Sequence, residues 1–503
     1  MVRFVMMPAA PPAEPTTATD PMSRILSAII LAAALFTAAS APATRADEVR
    51  LPDIGDSSGA TISPDQERAI GESLMRRLRQ ALMIVDDPMV QSYIESLGYR
   101  LVAASDRPGD AFTFFVVGDS QINAFAAPGG YVGVNSGLIL TSQSESELAA
   151  VLAHEITHVT QRHMARTYEA AGRQRLAAAV AILAAILVGG QSDQLAQAAV
   201  ATGTAASMQM QLNFTRANER EADRLGIRML ANAGFDPAAM ATFFERMQRA
   251  GRLYGARVPE FLSTHPVTTA RIAESESLAR GLSSAPSRES RNYELMRARL
   301  RVLTSADPAA AESEFEQNLA RDSFRDEVAE RYGYALALLA NGKPGAALEQ
   351  IEPLRKADPD SLPLAIAEGR IAVAAGQTER GLETFRQALL NYPNNDPLVY
   401  FYGEALLSAG QPARAREVLS EYLRNRSPSA AIHNLYARAA GEAGHLAEAY
   451  RHKAEYYFLS GQTRAAIDQL SRAAELSDLD FYQASQIEAR LQELKRIALE
   501  EER

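Results

Sequence analysis

The chain has 503 residues, of which 47% are hydrophobic and 22% are charged, and its net charge is −10. This is the composition of a globular protein with room for two or three domains. The acidic balance argues against a nucleic-acid-binding protein, because such proteins concentrate basic residues on one face. Cysteine is absent, so disulfides are excluded and a metal site can use only histidine and carboxylate ligands.

The N-terminal region predicts a signal for export. Arg24 precedes an apolar run over 25–36 and a stretch of small residues over 37–46, a pattern typical of a secretory signal peptide. The apolar run is shorter than the about 20 residues that a membrane-spanning helix needs. We therefore expect residues 1–46 to be a cleaved signal peptide, with Met22 as an alternative start. A retained membrane anchor is the less favoured alternative.

Elements of an α+β domain follow a flexible lead-in over 47–62. Ser63 with Pro64, and Ser144 with Glu147, have the spacing of helix-start signals. Short apolar runs separated by turn residues predict strands between the helices. The predicted elements are, in chain order, helices over 63–83 and 88–104, strands over 112–117, 122–126 and 131–135, and a helix over 144–168. The pattern predicts a mostly helical domain with a small sheet.

A second apolar run extends from Leu176 to Val188. As a helix it would span about 20 Å, whereas the hydrocarbon core of a bilayer is about 30 Å thick. We predict a buried helix. The alternative is a lid near the active site that makes peripheral contact with a membrane.

The second half of the chain repeats. After a linker over 281–291, glycines recur every 34 residues, a period that indicates the helix-turn-helix units of tetratricopeptide repeats. These glycines are Gly342, Gly376, Gly410 and Gly444. We expect a repeat solenoid over 292–503, with a concave surface that binds a partner protein.

The motif that carries chemistry is His154-Glu155-Ile156-Thr157-His158, inside the predicted helix over 144–168. Residues four apart share one face of a helix, so His154 and His158 can both reach one zinc ion. Glu155 lies beside them, where it could take a proton from an attacking water. Two incidental surface histidines are the disfavoured alternative, because this helix is apolar and capped.

Zinc needs a third protein ligand. The metzincin continuation is excluded, because Gln161 and Met164 occupy the positions where it requires glycine and histidine. His163 is off the required spacing, and we predict a surface position for it.

A glutamate from a later helix is the other source of a ligand. In the segment that begins at Asn218, Glu219 and Asp223 lie on one helix face. Glu219 could bind zinc while Asp223 accepts a hydrogen bond from a ligating imidazole. An ordinary charged helix face is the alternative.

Three groups of residues together resemble a known family. They are the motif over 154–158, the segment over 218–223, and Ser263-Thr264-His265-Pro266 followed by Arg271. These groups resemble the gluzincin metallopeptidases that include HtpX and the CAAX prenyl proteases. The signal peptide and the repeats resemble the soluble periplasmic branch of that family, the BepA/YfgC-like proteins, and the resemblance covers nearly all of residues 63–500.

The resemblance implies a zincin-like peptidase domain over 63–280 followed by an all-α repeat solenoid, in the periplasm. It implies one zinc ion per chain, with His154, His158 and Glu219 as ligands and Asp223 as the partner of a ligating imidazole.

It also implies that the strand with Asn123, Ala124 and Phe125 is an edge beside the cleft, where a substrate chain could add as another strand. A plain core hairpin is the alternative. For His265 three roles are open: stabilising the oxyanion, occupying the open zinc position as a brake, or capping a loop. Arg271 could anchor that loop or bind a substrate carboxylate.

Two functions follow from the sequence. The first is a periplasmic zinc endopeptidase that acts in the quality control and assembly of outer-membrane proteins, with unfolded or misassembled clients or their assembly machinery recruited by the repeats. The second is a repeat-based chaperone for outer-membrane protein assembly with little proteolysis.

Overall fold

The computed structural model describes residues 63–166, 216–253, 259–282, 290–424 and 429–501. The predicted signal peptide, the lead-in and the apolar run over 176–188 lie outside the described residues. Within the described ranges, no helix combines the length and the apolar character that crossing a membrane requires.

The first part of the chain is mostly helical and contains one small sheet. The elements are α1 (Pro64–Ala81), α2 (Pro88–Ala103), β1 (Thr113–Val117), β2 (Ala124–Ala127), β3 (Tyr131–Asn135), α3 (Ser136–Thr141), α4 (Glu145–Thr160), α5 (Arg216–Asn232), α6 (Ala239–Leu253), α7 (Glu260–Thr264) and α8 (Thr269–Arg280). The short α3 was not predicted from the sequence.

The sheet has the strand order β1-β3-β2, so β2 lies at an edge. β1 runs parallel to β3, and β2 runs antiparallel to it. The hairpin between β2 and β3 turns through Gly129 and Gly130, whose φ angles of 79° and 83° favour glycine. A Cβ on Gly130 would lie 2.2 Å from the carbonyl oxygen of Ala111, so the turn also needs the missing side chain.

α4 is the central helix of this part, and all but one of its residues are buried. Its N-terminus is capped by Ser144, whose Oγ accepts a hydrogen bond from the Glu147 N–H at 3.1 Å. The sequence predicted that α4 would continue to about 168. This prediction is wrong, because the helix ends at Thr160 and the chain turns at Arg162, which has a positive φ of 51°.

The second part is an array of paired helices. It comprises α9 (Arg291–Thr304), α10 (Pro308–Ala320), α11 (Glu327–Ala340), α12 (Pro344–Ala357), α13 (Leu362–Ala374), α14 (Thr378–Asn391), α15 (Asp396–Ser408), α16 (Pro412–Leu423), α17 (Ala430–Glu442), α18 (Leu446–Leu459), α19 (Thr463–Ala474) and α20 (Phe481–Glu501). The four repeating glycines lie in the turns within the pairs, with φ between 69° and 85°. The prediction of an all-α repeat array is thereby confirmed.

The repeats pack directly on the first part of the chain. Tyr293 on α9 is buried, and its hydroxyl donates to the carbonyl of Ser142 at 3.0 Å. Arg299, also on α9, donates to both carboxylate oxygens of Asp87 at 2.7 and 2.6 Å. At the other end of the array, Arg76 Nε on α1 lies 2.8 Å from Glu501 Oε1 on α20.

Candidate metal centre

α4 presents its histidine pair to the interior of the domain. His154 and His158 are both buried, and their Nε2 atoms lie 3.0 Å apart. The four-residue spacing places both imidazoles on the same face of the helix, one turn apart. The two nitrogens therefore face the same point in space.

α5 brings Glu219 to the same point. Its Oε2 lies 3.5 Å from His154 Nε2, and its Oε1 lies 3.5 Å from His158 Nε2. α5 crosses α4 at Gly226, where a Cβ would be in van der Waals contact with the backbone of Ala153 and His154 at 3.4 Å.

These donors fit a bound metal ion. Two atoms that bind one zinc at about 2.0–2.1 Å cannot be more than about 4.2 Å apart, and the three pairs satisfy this limit. Together with His265, the three residues form a buried group whose ligand atoms all lie within 4.8 Å of one another. Two imidazoles and a carboxylate are also the donor types that zinc and similar cations use.

Asp223 and Arg271 lie behind the donors. Asp223 Oδ1 is 3.1 Å from His154 Nδ1, the ring nitrogen that points away from Glu219. Arg271 donates from Nε and Nη2 to Asp223 at 2.7 Å each, and its Nη1 lies 2.9 Å from Glu219 Oε2. The same Nη1 donates to the carbonyl of Pro266 at 2.9 Å. Of the two roles considered for Arg271, this geometry matches the anchoring of the His265 loop, because a buried and fully engaged guanidinium does not face a cleft.

Glu155 and His265 lie side by side at this group. Glu155 is fully buried, and its Oε1 lies 3.4 Å from His265 Nε2. His265 Nδ1 lies 3.2 Å from His154 Nε2 and 3.1 Å from Glu219 Oε1. The ring of Phe261 stacks on His265 with centroids 5.1 Å apart, which fixes the orientation of the imidazole. His265 is therefore positioned among the donor atoms, and it is also the C-cap residue of α7.

His163 is a residue that the sequence analysis placed wrongly. It is completely buried, with its Nδ1 2.8 Å from His158 Nδ1 and its Nε2 3.2 Å from Glu221 Oε2. On a continuous helix it would point away from His158, but the turn at Arg162 brings it back. With an ion on His158 Nε2, the His158 Nδ1–H would donate to His163 Nδ1, and the His163 Nε2–H would donate to Glu221.

β2, the predicted substrate strand, contacts α4, and its side chains divide between two faces. Ala124 belongs to the core that contains α4, whereas Phe125 packs on the opposite face against Phe115, with ring centroids 5.8 Å apart. Asn123 is buried, and its backbone carbonyl accepts from the Asn135 N–H at 3.0 Å. A substrate strand at this edge would therefore meet the backbone of β2 and not the ring of Phe125.

The electrostatics of the protein groups favour a cation. Burial opposes the charged form of His154, yet Asp223 and Glu219 raise its pKa to about 9. Burial would also raise the pKa of Glu219, but His265 and His154 hold it well below its usual range. Burial and the charge of His154 lower the pKa of His158. Arg271 supplies one positive charge beside these two buried carboxylates, and a divalent ion would supply more while it displaces the protons from the imidazoles.

The pKa of Glu155 shifts in the opposite direction to that of Glu219. Burial raises its pKa, although the charges of His265 and His154 counteract this effect. A carboxyl group with a raised pKa accepts and returns a proton more readily near neutral pH than an exposed one. This direction suits a general base.

Comparisons with known proteins agree with the geometry. Residues 88–279 match peptidase family M48, and residues 372–439 match a tetratricopeptide repeat. The beta-barrel assembly-enhancing protease of Yersinia pestis is 36% identical over 343 residues, which cover 68% of this chain and 70% of that protein. The protease of the same name from Escherichia coli strain K12 is 37% identical over 329 residues, covering 65% and 67%. A putative beta-barrel assembly-enhancing protease of Vibrio cholerae is 45% identical over 254 residues, covering 50% and 52%. The chain therefore belongs to peptidase family M48 and is a metallopeptidase with tetratricopeptide repeats.

Proposed function

We propose that this chain is a periplasmic, zinc-dependent endopeptidase that acts in the quality control and assembly of outer-membrane proteins. The observation that carries the peptidase part is the buried convergence of His154, His158 and Glu219 beside Glu155. The names of the relatives support the role in β-barrel assembly. The signal-peptide pattern over residues 1–46 supports the compartment.

His154, His158 and Glu219 would hold the zinc ion, since two imidazoles and one carboxylate are a common catalytic zinc set. When bound, the ion supplies Lewis-acid polarisation of the scissile carbonyl. Glu155 takes the proton of the attacking water and returns it to the leaving amine. Asp223 fixes His154 through Nδ1, and Arg271 neutralises the carboxylates of Asp223 and Glu219 from behind.

The substrate chain would lie along β2 in an extended form. The edge position of this strand supports the proposal, because the backbone N–H and C=O groups on the side of β2 away from β3 can pair with another strand. The backbone then provides affinity for clients of many sequences, as an enzyme of quality control requires.

His265 has two roles that its position supports. It could stabilise the oxyanion of the tetrahedral intermediate, or it could bind the ion and keep the enzyme inactive, since its Nδ1 lies among the donor atoms. The variant His265→Ala separates them. Loss of cleavage supports the oxyanion role, and a gain in cleavage supports the brake.

The test is metal content together with the cleavage of an unfolded protein, for the wild type, Glu155→Gln and a matched Glu276→Gln on the exposed surface of α8. We expect about one zinc in all three proteins, and cleavage lost only in Glu155→Gln. Absence of zinc from the purified wild type, or cleavage that survives Glu155→Gln, would refute the peptidase proposal.

The second candidate is a chaperone that uses the repeats and needs little proteolysis. The observation that favours it is the length of the helical array over 291–501, which exceeds that of the family M48 match. Cells that lack the protein and receive Glu155→Gln distinguish the two functions. Restored assembly of outer-membrane proteins supports the chaperone, and failed assembly at normal protein level supports the peptidase.

A further inference from the structure

Two histidines of the repeats face each other across one helix pair. His433 lies on α17 and His452 on α18, and their Nδ1 atoms are 2.9 Å apart. The Nε2 atoms of His154 and His158 at the metal centre have nearly the same separation, 3.0 Å. Two nitrogens less than about 4.2 Å apart can both bind one ion at about 2.0–2.1 Å. The spacing of the pair on α17 and α18 therefore fits a metal ion.

Polar contacts on both sides hold the two helices in register. The chain turns between them at Gly444, which has a φ of 85°. On the side of the turn, the Tyr436 hydroxyl donates to Glu448 Oε2 at 2.6 Å. Directly beside the histidines, Lys453 Nζ donates to Asn434 Oδ1 at 2.7 Å. The two rings are thereby placed opposite each other by the fold itself, so an ion does not have to order them on binding.

Both imidazoles are neutral at neutral pH. Burial lowers the pKa of His433, and burial together with the charge of His433 lowers the pKa of His452 to about 3. The guanidinium of Arg451, which donates to Gln486 Oε1 at 2.5 Å, lowers both pKa values further. A histidine binds a metal ion only through an unprotonated nitrogen. An ion that approaches this pair therefore does not have to displace a proton from an imidazolium ring.

The outer nitrogens of the two rings can take up the remaining ring proton. In a contact between two neutral imidazoles, one Nδ1 donates and the other accepts. Neither Nε2 has a hydrogen-bond partner in the part of the chain that the structure describes, yet neither is enclosed, because both rings are only half-buried. The proton of the donating ring can therefore move from Nδ1 to Nε2 with no change in charge. Both Nδ1 lone pairs are then available to one ion.

The carboxylates next to the pair are occupied by arginines. Glu448 is held by Arg416 through two contacts of 2.7 Å each, and Glu455 is held by Arg490 through two contacts of 2.8 Å each. The donors that the pair offers are therefore imidazole nitrogens. Such donors suit copper, nickel and zinc, whereas calcium and magnesium require oxygen ligands.

We propose that His433 and His452 bind a divalent transition-metal ion through their Nδ1 atoms, and that copper(II) binds there most tightly. Among divalent first-row ions, copper(II) has the highest affinity for a given set of nitrogen donors. Water would complete the coordination from the half-exposed side of the rings. The bound ion would join α17 to α18, at a place separate from the helices α4 and α5 that carry the candidate metal centre.

The experiment titrates the full-length protein with copper(II) in competition with a chelator. The protein is first saturated with zinc and separated from excess zinc by gel filtration. The variants His433→Gln and His452→Gln each remove one imidazole, and His445→Gln, at an exposed position between the same two helices, is the matched control. Zinc and copper contents are measured in parallel. Copper that displaces zinc at the metal centre does so equally in all four proteins and cancels in the comparison.

We expect the wild type and His445→Gln to take up about one copper ion per chain beyond any that replaces zinc. His433→Gln and His452→Gln should bind this ion at least about tenfold more weakly, since even the loss of a residue that only supports a ligand costs about 10–100-fold. The electron paramagnetic resonance spectrum of this copper in the wild type should show coupling to the nitrogens of two imidazoles.

Equal copper affinity in His452→Gln and His445→Gln would overturn the proposal. So would a wild-type spectrum in which the additional copper lacks coupling to two imidazoles. The spectrum is recorded on the unaltered protein, so this outcome stands even where a variant fails to fold. Circular dichroism of each variant before copper is added confirms that a loss of binding is not a loss of the repeat helices.

Discussion

Each imidazole of the pair on α4 is held from behind by a different partner. His154 Nδ1 faces Asp223, and His158 Nδ1 faces His163. In both cases the partner fixes the tautomer that leaves Nε2 directed at Glu219. These two partners should therefore control metal affinity without touching the ion.

Asp223→Asn tests the first partner. The amide keeps the shape of the side chain but loses the charge that pairs with Arg271 and His154. We expect metal affinity to fall by about 10–100-fold, measured by competition with a chelator. The exposed Asp236→Asn is the control, and an unchanged affinity in Asp223→Asn would contradict this role.

His163→Leu tests the second partner. Leucine fills much of the buried space but cannot accept the His158 Nδ1–H, so the ring of His158 loses its fixed orientation. We expect about tenfold weaker metal binding with the fold retained, as judged by circular dichroism. His445→Leu, at an exposed turn of the repeats, should bind metal like the wild type. If the two variants behave alike, His163 has only a packing role.

The residues that could bind the metal were easier to predict from the sequence than the residues that contact them from behind. The spacing of His154 and His158 implies a shared face once the segment is a helix, and no tertiary information is needed. His163 could not be placed correctly, because its position depends on a left-handed residue, Arg162, that no side-chain pattern announces. The burial of Arg271 likewise depends on how α8 packs against α5.

At the level of elements, the centre depends on how closely α4 and α5 approach. At the crossing, a Cβ on Gly226 would already contact the backbone of Ala153 and His154 at 3.4 Å, so a side chain larger than that of alanine would press the two helices apart. α5 begins at Arg216, and Glu219 lies in its first turn, so a small displacement of the helix would move the glutamate away from the pair.

Gly226→Val tests this packing. The added methyl groups would overlap with α4 and with Met240 on α6, so we expect a loss of about 1–3 kcal/mol in the free energy of unfolding, measured with urea. Metal affinity should fall as well, because the two helices separate. Gly345→Val is the control, since a Cβ there meets nothing within 4 Å. An equal effect of both substitutions would show that helix propensity, and not the crossing, is responsible.

Helices and strands could largely be predicted from the sequence, but which elements pack against each other could not. The apolar runs and cap signals predicted α1, α2, α4 and the three strands. The strand order could not be deduced, because all three strands are almost wholly apolar and their sequences do not distinguish an edge from a centre. The register in which β2 pairs with β3 determines the face of the sheet on which Phe125 lies.

At the level of the whole molecule, a buried ion pair joins the peptidase part to the repeats. Asp87 caps α2 and accepts two hydrogen bonds from Arg299 on α9, and both side chains are at most 9% exposed. Burial alone would raise the pKa of Asp87, but the charge and hydrogen bonds of Arg299 outweigh it and lower the pKa. From the sequence, Asp87 falls in the predicted peptidase domain and Arg299 in the predicted repeat solenoid. Nothing in the sequence indicated that these two side chains form an ion pair.

Asp87→Asn should therefore destabilise the protein in a way that depends on pH. Loss of one partner leaves Arg299 buried without its counter-charge, so we expect about 3–5 kcal/mol of destabilisation at neutral pH. Because the folded state lowers the pKa of Asp87, the pair stabilises fully above the ordinary value of about 4 and loses its effect as pH falls below that value. The difference in the free energy of unfolding between the wild type and Asp87→Asn should therefore become smaller at acid pH.

Urea unfolding of both proteins between neutral and acid pH measures this dependence. Asp106→Asn, at an exposed position, should follow the wild type throughout. A deficit of Asp87→Asn that stays constant down to low pH would mean that the ionised carboxylate does not contribute.

The contact between Arg76 and Glu501 joins residues that are 425 positions apart. A ribosome makes the chain from its N-terminus, so α1 is synthesised before the repeat helices and its partner Glu501 is synthesised after them. Until then α1 lacks the turn at Gly461 and the carboxylate of Glu501. Contacts of such long range form late in folding. The order of synthesis thus delays these contacts of α1 until the described repeat helices have been made.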